Sequence, residues 1–232
     1  MTNQYTIIGV DEAGRGPLFG DVYTSAVILP THDFDLSLLK DSKKFTSKKK
    51  IKQVYDYIKE HTTFYSIDSC THLEIDEMNI LQATQRSMHK SIKNVIQQYI
   101  ESKGVDFDPT WFEQILICVD GNYFNEFFYF YIDKLYKINY KCIVKGDSIY
   151  KQISAASILA KVERDVYIES FISTYPDYEE KYKLSKNKGY GTKEHLNGIR
   201  MYGYSPYHRK SFKVKSLQPE HISHSSEDSC NT

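Results

Sequence analysis

The chain has 232 residues, 41% of them hydrophobic and 26% charged, and its formal net charge is zero. A chain of this length folds around a full core without disulfide staples. It carries neither the roughly 20-residue apolar run of a membrane span nor a basic-then-apolar leader, so a cytoplasmic location is expected. The four cysteines lie far apart and lack the close pairs of a zinc site. Free thiols in a reducing compartment are the reading that fits.

Thr6 to Val10 is a short apolar run that predicts a buried first strand, ended by Asp11 and Glu12. Glycines at 14, 16 and 20 suit a tight connection to a second strand over 22–29, rich in Val, Ile, Tyr and Thr. Ile51, Val54, Tyr55 and Ile58 fall at helical spacing within 47–61, and 62–69 reads as a third strand. The clearest helical pattern covers 79–101, where Leu81, Thr84, Met88, Ile92, Val95 and Tyr99 share a face; Gly104 and Pro109 mark its end. Two continuous apolar runs follow, 115–119 stopped by Asp120-Gly121 and 140–144 stopped by Lys145-Gly146-Asp147. Continuous rather than alternating apolar strands predict a sheet covered on both faces. A helix over 152–173 opens with Ser154-Ala155-Ala156-Ser157, small residues that permit close packing. The order predicts a mixed α/β domain over 1–215, with 216–232 as a polar, disordered tail.

The zero net charge hides a segregated distribution. Residues 43–52 hold six lysines and no acid, and 181–215 hold ten Lys/Arg against the single acid Glu194, leaving the rest strongly acidic. Such segregation can give a neutral protein a phosphate-binding surface, although charge alone leaves solvated lysine faces equally open. The acids punctuate strands: Asp11 and Glu12 follow the first, Asp120 the fourth, and Asp147 lies just beyond the fifth. Any one of them could merely cap local structure. Four at equivalent strand ends point to convergence on one site, where mutual repulsion calls for cations. Hard oxygen ligands select Mg²⁺ or Mn²⁺. Two such ions roughly 3.5–4 Å apart would stabilise the attacking and leaving oxygens of an in-line phosphoryl displacement. Beside the first acidic pair, Gly14-Arg15-Gly16 lets backbone approach a ligand closely. Its peptide groups could hydrogen-bond the 2′-OH that distinguishes RNA from DNA. The spacing is not that of a dinucleotide-binding loop.

These residues resemble the ribonuclease HII family. The likeness runs through Gly9 to Leu18, Asp41-Ser42-Lys43-Lys44, Ile75 to Leu81, Val119-Asp120-Gly121-Asn122 and Lys145-Gly146-Asp147-Ser148. It continues with Ser154 to Val162, Arg164-Asp165, Lys188-Gly189-Tyr190-Gly191-Thr192 and His208-Arg209-Lys210-Ser211-Phe212. The resemblance implies an α/β ribonuclease H-like fold, a mixed central sheet flanked by helices with a helical C-terminal portion. It makes Asp11, Glu12, Asp120 and Asp147 the catalytic, metal-binding carboxylates. Gly14, Arg15 and Gly16 are then the recognition element for the 2′-OH, and Tyr190 packs on the sugar at the RNA–DNA junction. Lys43 is the best placed phosphate contact, with Lys44, Lys161 and Arg164 as further candidates; Asp165 orients a basic neighbour or caps local structure rather than binding metal. The implied reaction is hydrolysis of RNA in RNA/DNA hybrids and nicking 5′ of ribonucleotides embedded in duplex DNA. It leaves 5′-phosphate and 3′-hydroxyl ends and uses two Mn²⁺ or Mg²⁺ ions. A monomer without an obligate protein partner is expected, and the tail lacks a glutamine-led clamp-docking motif.

Phe19 and Asp21 depart from the common pattern, and an added negative charge near the metal pair could weaken phosphate approach. The nearest alternative is a ribonuclease HIII-like hybrid nuclease. It is disfavoured because the catalytic motif begins at residue 11, with no room for that family's N-terminal domain, and because Arg15 replaces a different residue. A non-catalytic hybrid-binding protein is disfavoured by the intact acids and glycine turn.

Overall fold

The structure, a computed structural model, describes residues 5–214; the predicted tail over 216–232, with the expected lack of a clamp motif, lies outside the described residues. Among these, the strands are β1 (Thr6–Ala13), β2 (Val22–Ile28), β3 (Phe64–Cys70), β4 (Ile115–Asp120), β5 (Phe127–Tyr131) and β6 (Lys134–Ile143). They form one sheet in the order β3-β2-β1-β4-β6-β5. β1 pairs antiparallel with β2 and parallel with β4, and β4 is parallel to β6, giving the expected mixed sheet.

The helices are α1 (Lys48–His61), α2 (His72–Met78), α3 (Ile80–Lys103), α4 (Lys151–Thr174), α5 (Pro176–Tyr182), α6 (Leu184–Asn187) and α7 (Lys193–Tyr202). Alternation along β1 divides the two faces of the sheet. Ile8 and Val10 pack with Met88, Ile92, Val95 and Ile96 of α3. On the opposite face, Ala155, Ala156 and Leu159 of α4 meet Val27 and Leu29, with Val54 and Ile58 of α1 closing the layer. Each Val, Leu, Ile or Met side chain fully buried in this way contributes roughly 1.5–3 kcal/mol. The approach of α4 depends on Gly9: a Cβ there would lie 2.1 Å from the backbone carbon of Gln152. The small-residue opening of α4 therefore packs against the strand that carries the first acids.

Two elements depart from the sequence reading. β1 does not end before the acids but continues through Ala13. Its pairing with β4 stops at Val10, while its pairing with β2 carries on, so Asp11 and Glu12 stand where the backbone is free of one neighbour and still held by the other. The run over 140–144 proves to be the end of the longer β6, paired antiparallel with β5 as a hairpin. Its turn, Ile132-Asp133, places both residues at positive φ, 41° and 58°. That is the backbone of a tight hairpin turn without the Asn-Gly sequence that usually announces one.

Beyond α4 the helical C-terminal portion packs around aromatic rings. Phe19 is fully buried there, its ring centroid 5.1 Å from that of Phe171, and Phe171 lies 4.7 Å from Tyr207. Phe19 thus ties the glycine turn to the C-terminal helices. Asp21 is also accounted for: it accepts the His72 N–H at 3.0 Å and does not line the acidic cavity.

Candidate active site

The parallel register matches Val10 of β1 with Val119 of β4, so the next residues, Asp11 and Asp120, leave adjacent strands side by side. A cavity of about 280 Å³ opens at this edge, lined by Asp11, Glu12, Gly14, Arg15, Gly16, Ser42, Lys43, Asp120, Ser157, Lys161, Arg164 and Tyr190. All the predicted site residues except Asp147 therefore meet on one surface. Asp147 lies in the short turn after β6 and lines a smaller neighbouring cavity of about 110 Å³ with Asp41 and Lys44.

Three of the four carboxylates are pushed up by burial and by neighbouring carboxylates. Burial holds Asp11 well above the usual carboxylate range, and the charges of Glu12 and Asp120 push it the same way. Its Oδ1 accepts the Glu12 N–H at 2.7 Å, and Ser157 of α4 also bonds to it. Glu12 is raised by burial and opposed by Arg15, whose guanidinium lies 3.5 Å away. Asp147 is raised by burial and then by the charges of Asp41 and Asp120. Asp120 is fixed by the Gly146 N–H, which donates to its Oδ1 at 2.6 Å. Among the described residues no group of three or more His, Cys, Asp or Glu side chains is gathered closely enough to hold a metal ion. The donor set nevertheless fits hard divalent ions, because it supplies only oxygen ligands from carboxylates that repel one another.

The glycine turn borders this set. Gly14 has φ +95°, in the left-handed region, and a Cβ on it would fall 2.1 Å from Arg164 Nε. A Cβ on Gly16 would lie 3.3 Å from Tyr190 Cε1, so the half-exposed Tyr190 ring and the turn face one another. Lys161 also lines the cavity, and Asp165 holds its Nζ at 2.5 Å, the orienting role expected of that acid. Arg164 differs from expectation. It is only 2% exposed and donates to the carbonyls of Asp21 and Phe19, so it braces the turn from behind rather than reaching for phosphate.

The second basic run also divides on inspection. Lys188 is mostly buried against Glu169, Lys181 pairs with Asp177, and Arg209 is fully buried. What it offers a phosphate chain is therefore less than its composition suggested. Sequence reasoning also missed Ser42 and Ser157, whose hydroxyls share a hydrogen bond of 3.0 Å at the cavity wall. Both fall within the motif blocks that carry the family likeness, but nothing in a serine's spacing marks it as an acid's partner.

The ribonuclease HII profile matches residues 8–215. The chain belongs to the ribonuclease HII family. The ribonuclease HII of Treponema denticola is 41% identical over 211 residues, 91% of this chain and 100% of the relative. Among solved structures, the ribonuclease H2 of Pyrococcus horikoshii OT3 matches with a TM-score of 0.62 at 22% identity, over 89% of this chain and 93% of that one. Bst-RNase HIII, solved in complex with Mn²⁺, matches with a TM-score of 0.55 at 15% identity, over 85% of this chain and 70% of that one. These likenesses establish the ribonuclease H-like fold, and membership in the family sets the HIII alternative aside. The chain is accordingly a metal-dependent hydrolase of the ribonuclease H class. No helix among the described residues is long and apolar enough to cross a membrane.

Proposed function

We propose that this chain hydrolyses the RNA strand of RNA/DNA hybrids and nicks duplex DNA on the 5′ side of an embedded ribonucleotide, leaving 5′-phosphate and 3′-hydroxyl ends. The observation that carries the reading is the shared cavity in which Asp11, Glu12 and Asp120 border both the Gly14–Gly16 backbone and Tyr190. Asp147 joins the set from the adjoining cavity, within electrostatic reach of Asp120. Together these four carboxylates would hold two divalent ions, Mg²⁺ or Mn²⁺. Bound there, the ions supply activation of the attacking water and stabilisation of the departing 3′ oxygen.

The chain's own groups do the rest. Gly146 keeps Asp120 in one orientation, and Glu12 with Ser157 does the same for Asp11. Lys43 and Lys161 stand on the cavity wall where a phosphate chain would pass. The turn at Gly14, Arg15 and Gly16 offers peptide groups to a 2′-hydroxyl, and the Tyr190 ring offers an apolar face to the sugar beside it. Residues 1–215 act as one catalytic domain, as a monomer, on RNA/DNA hybrid and ribonucleotide-containing duplex.

The test is a nicking assay with a DNA duplex containing one ribonucleotide. Cleavage at the 5′ side of that residue with Mg²⁺ or Mn²⁺, abolished by chelator, is the expected result. Binding without nicking in either metal would overturn the catalytic reading. Cleavage of long hybrids alone would overturn the single-ribonucleotide specificity.

A further inference from the structure

Among the described residues, the largest fully buried side chain is a cation. Arg209 has no solvent exposure, and its guanidinium donates into the glycine turn from beneath. Nη2 reaches the Gly14 carbonyl at 2.7 Å, Nη1 the carbonyls of Arg15 at 3.0 Å and Pro17 at 2.8 Å, and Nε the Gly20 carbonyl at 2.7 Å. Its backbone N–H donates to Leu18 O at 2.8 Å. Arg164 takes the carbonyls of Phe19 and Asp21. Every carbonyl from Gly14 to Asp21 is thereby engaged except that of Gly16, the residue facing Tyr190.

A buried guanidinium without a carboxylate partner of its own is costly unless fixed dipoles solvate it. Here the dipoles are those of the turn itself, so the charge and the loop conformation stabilise each other. Arginine is suited to this because its planar fork can address several carbonyls at once, which a lysine ammonium cannot do with the same geometry. A cage of this kind fixes more than stability. It decides which backbone acceptor remains free at the cavity, and it orients the peptide planes of Gly14, Arg15 and Gly16.

We propose that Arg209 is a positioning residue for ribonucleotide discrimination: by occupying the neighbouring carbonyls it holds the Gly14–Gly16 turn in the one arrangement that leaves Gly16's carbonyl to the 2′-hydroxyl. The inference rests on the reading that this turn senses the 2′-OH. Arg209 itself touches no substrate. Loss of its fork therefore relaxes the choice between sugars more than it weakens attachment to the duplex.

The experiment compares kcat and KM on duplexes with a ribonucleotide or a 2′-fluoro-2′-deoxynucleotide at the same position, the fluorine being unable to donate. The parent protein is expected to favour the ribonucleotide. Arg209→Lys is expected to lower kcat for it at least tenfold, with KM within about threefold of the parent, and to shrink the ribo/fluoro ratio by at least tenfold. Arg209→Ala should regain part of that ratio when guanidinium ion is added at millimolar concentration. A ratio unchanged within twofold in Arg209→Lys, while the parent discriminates, overturns the role of Arg209 alone. A parent that does not discriminate overturns the sensing reading and the proposal with it. Should both variants fail to fold, ¹⁵N-edited NMR of the parent decides: a slowly exchanging Arg209 Nε–H that becomes fast without loss of discrimination in Gly20→Ala, the variant at its acceptor, overturns the proposal. Loss of protection and discrimination together supports it.

Discussion

Replacing Gly9 by alanine tests how closely α4 must lie on the sheet. The residue carries no left-handed φ, so the penalty is purely one of space. The added methyl would meet Gln152 C at 2.1 Å, Gln152 O at 2.3 Å and Ile153 N at 2.5 Å. All three are backbone atoms that no rotamer change can move. The helix must therefore retreat by roughly an ångström, or the strand must bow, before ordinary contact is restored. Overpacking costs typically ~1–3 kcal/mol, and an obstruction made only of backbone belongs at the upper end. Against that, alanine stiffens the unfolded chain and returns ~0.4–1 kcal/mol. A net loss near 2 kcal/mol corresponds to a melting temperature lower by about 4–8 °C for a chain of this size. The same retreat draws Ser157 away from Asp11, which it helps to orient, and a misplacement of about 1 Å can cost on the order of a hundredfold in rate. Thermal unfolding with single-turnover nicking at 25 °C measures both. A Gly9→Ala protein melting within 2 °C of the parent and nicking at the parental rate would refute the argument that the strand–helix contact sets the site.

Asp120→Asn should abolish turnover while leaving the melting temperature close to the parent's. The amide keeps an oxygen to accept the Gly146 N–H but removes a ligand charge; nicking and unfolding curves check the two halves. Lys43→Ala should weaken duplex binding equally with and without an embedded ribonucleotide and reduce the slope of log K against log salt by about one, as loss of one phosphate contact requires. Burial, then the neighbouring His195, pushes His208 down to about 3, so the folded protein holds it neutral where the unfolded chain would bind a proton. Between about pH 6.5 and 3 this favours unfolding as pH falls, by about 1.4 kcal/mol per unit, and contributes nothing above that window. Imidazole NMR should accordingly show no titration of His208 between pH 8 and 5, and denaturation curves of the parent should fall more steeply with acid than those of His208→Gln.

The sheet was legible where hydrophobic periodicity and strand-end chemistry agreed. β2, β4, α1, α3 and α4 fall within a few residues of their predicted ranges because each buries a periodic face in one of two layers. The β5–β6 hairpin was missed because its turn uses Ile132 and Asp133 at positive φ, imposed by pairing of the strands rather than advertised by glycine. Among site residues, the acids and glycines stood out because their chemistry is unusual beside an apolar strand. Asp147 was expected to converge with the other three acids; the charge of Asp120 reaches it, yet it opens on a neighbouring cavity, a difference in direction that no spacing rule records.

Charge was the least transferable signal, and the reason is physical. Counting Lys and Arg over 181–215 treats every cation as solvated, whereas the fold sorts them by what surrounds their stems and heads. Lys181 pairs with an acid one helical turn away. Lys188 is drawn under its chain to Glu169. Arg209 leaves solvent altogether to be solvated by the carbonyls of a loop nearly two hundred positions earlier in sequence. A basic run thus carries two functions that composition cannot separate. Exposed members would be free to meet a polyanion, and should then register in the salt dependence of binding. On the proposal above, the buried arginine shapes the backbone that would read the sugar, and its loss should appear in discrimination while the salt slope stays that of the parent.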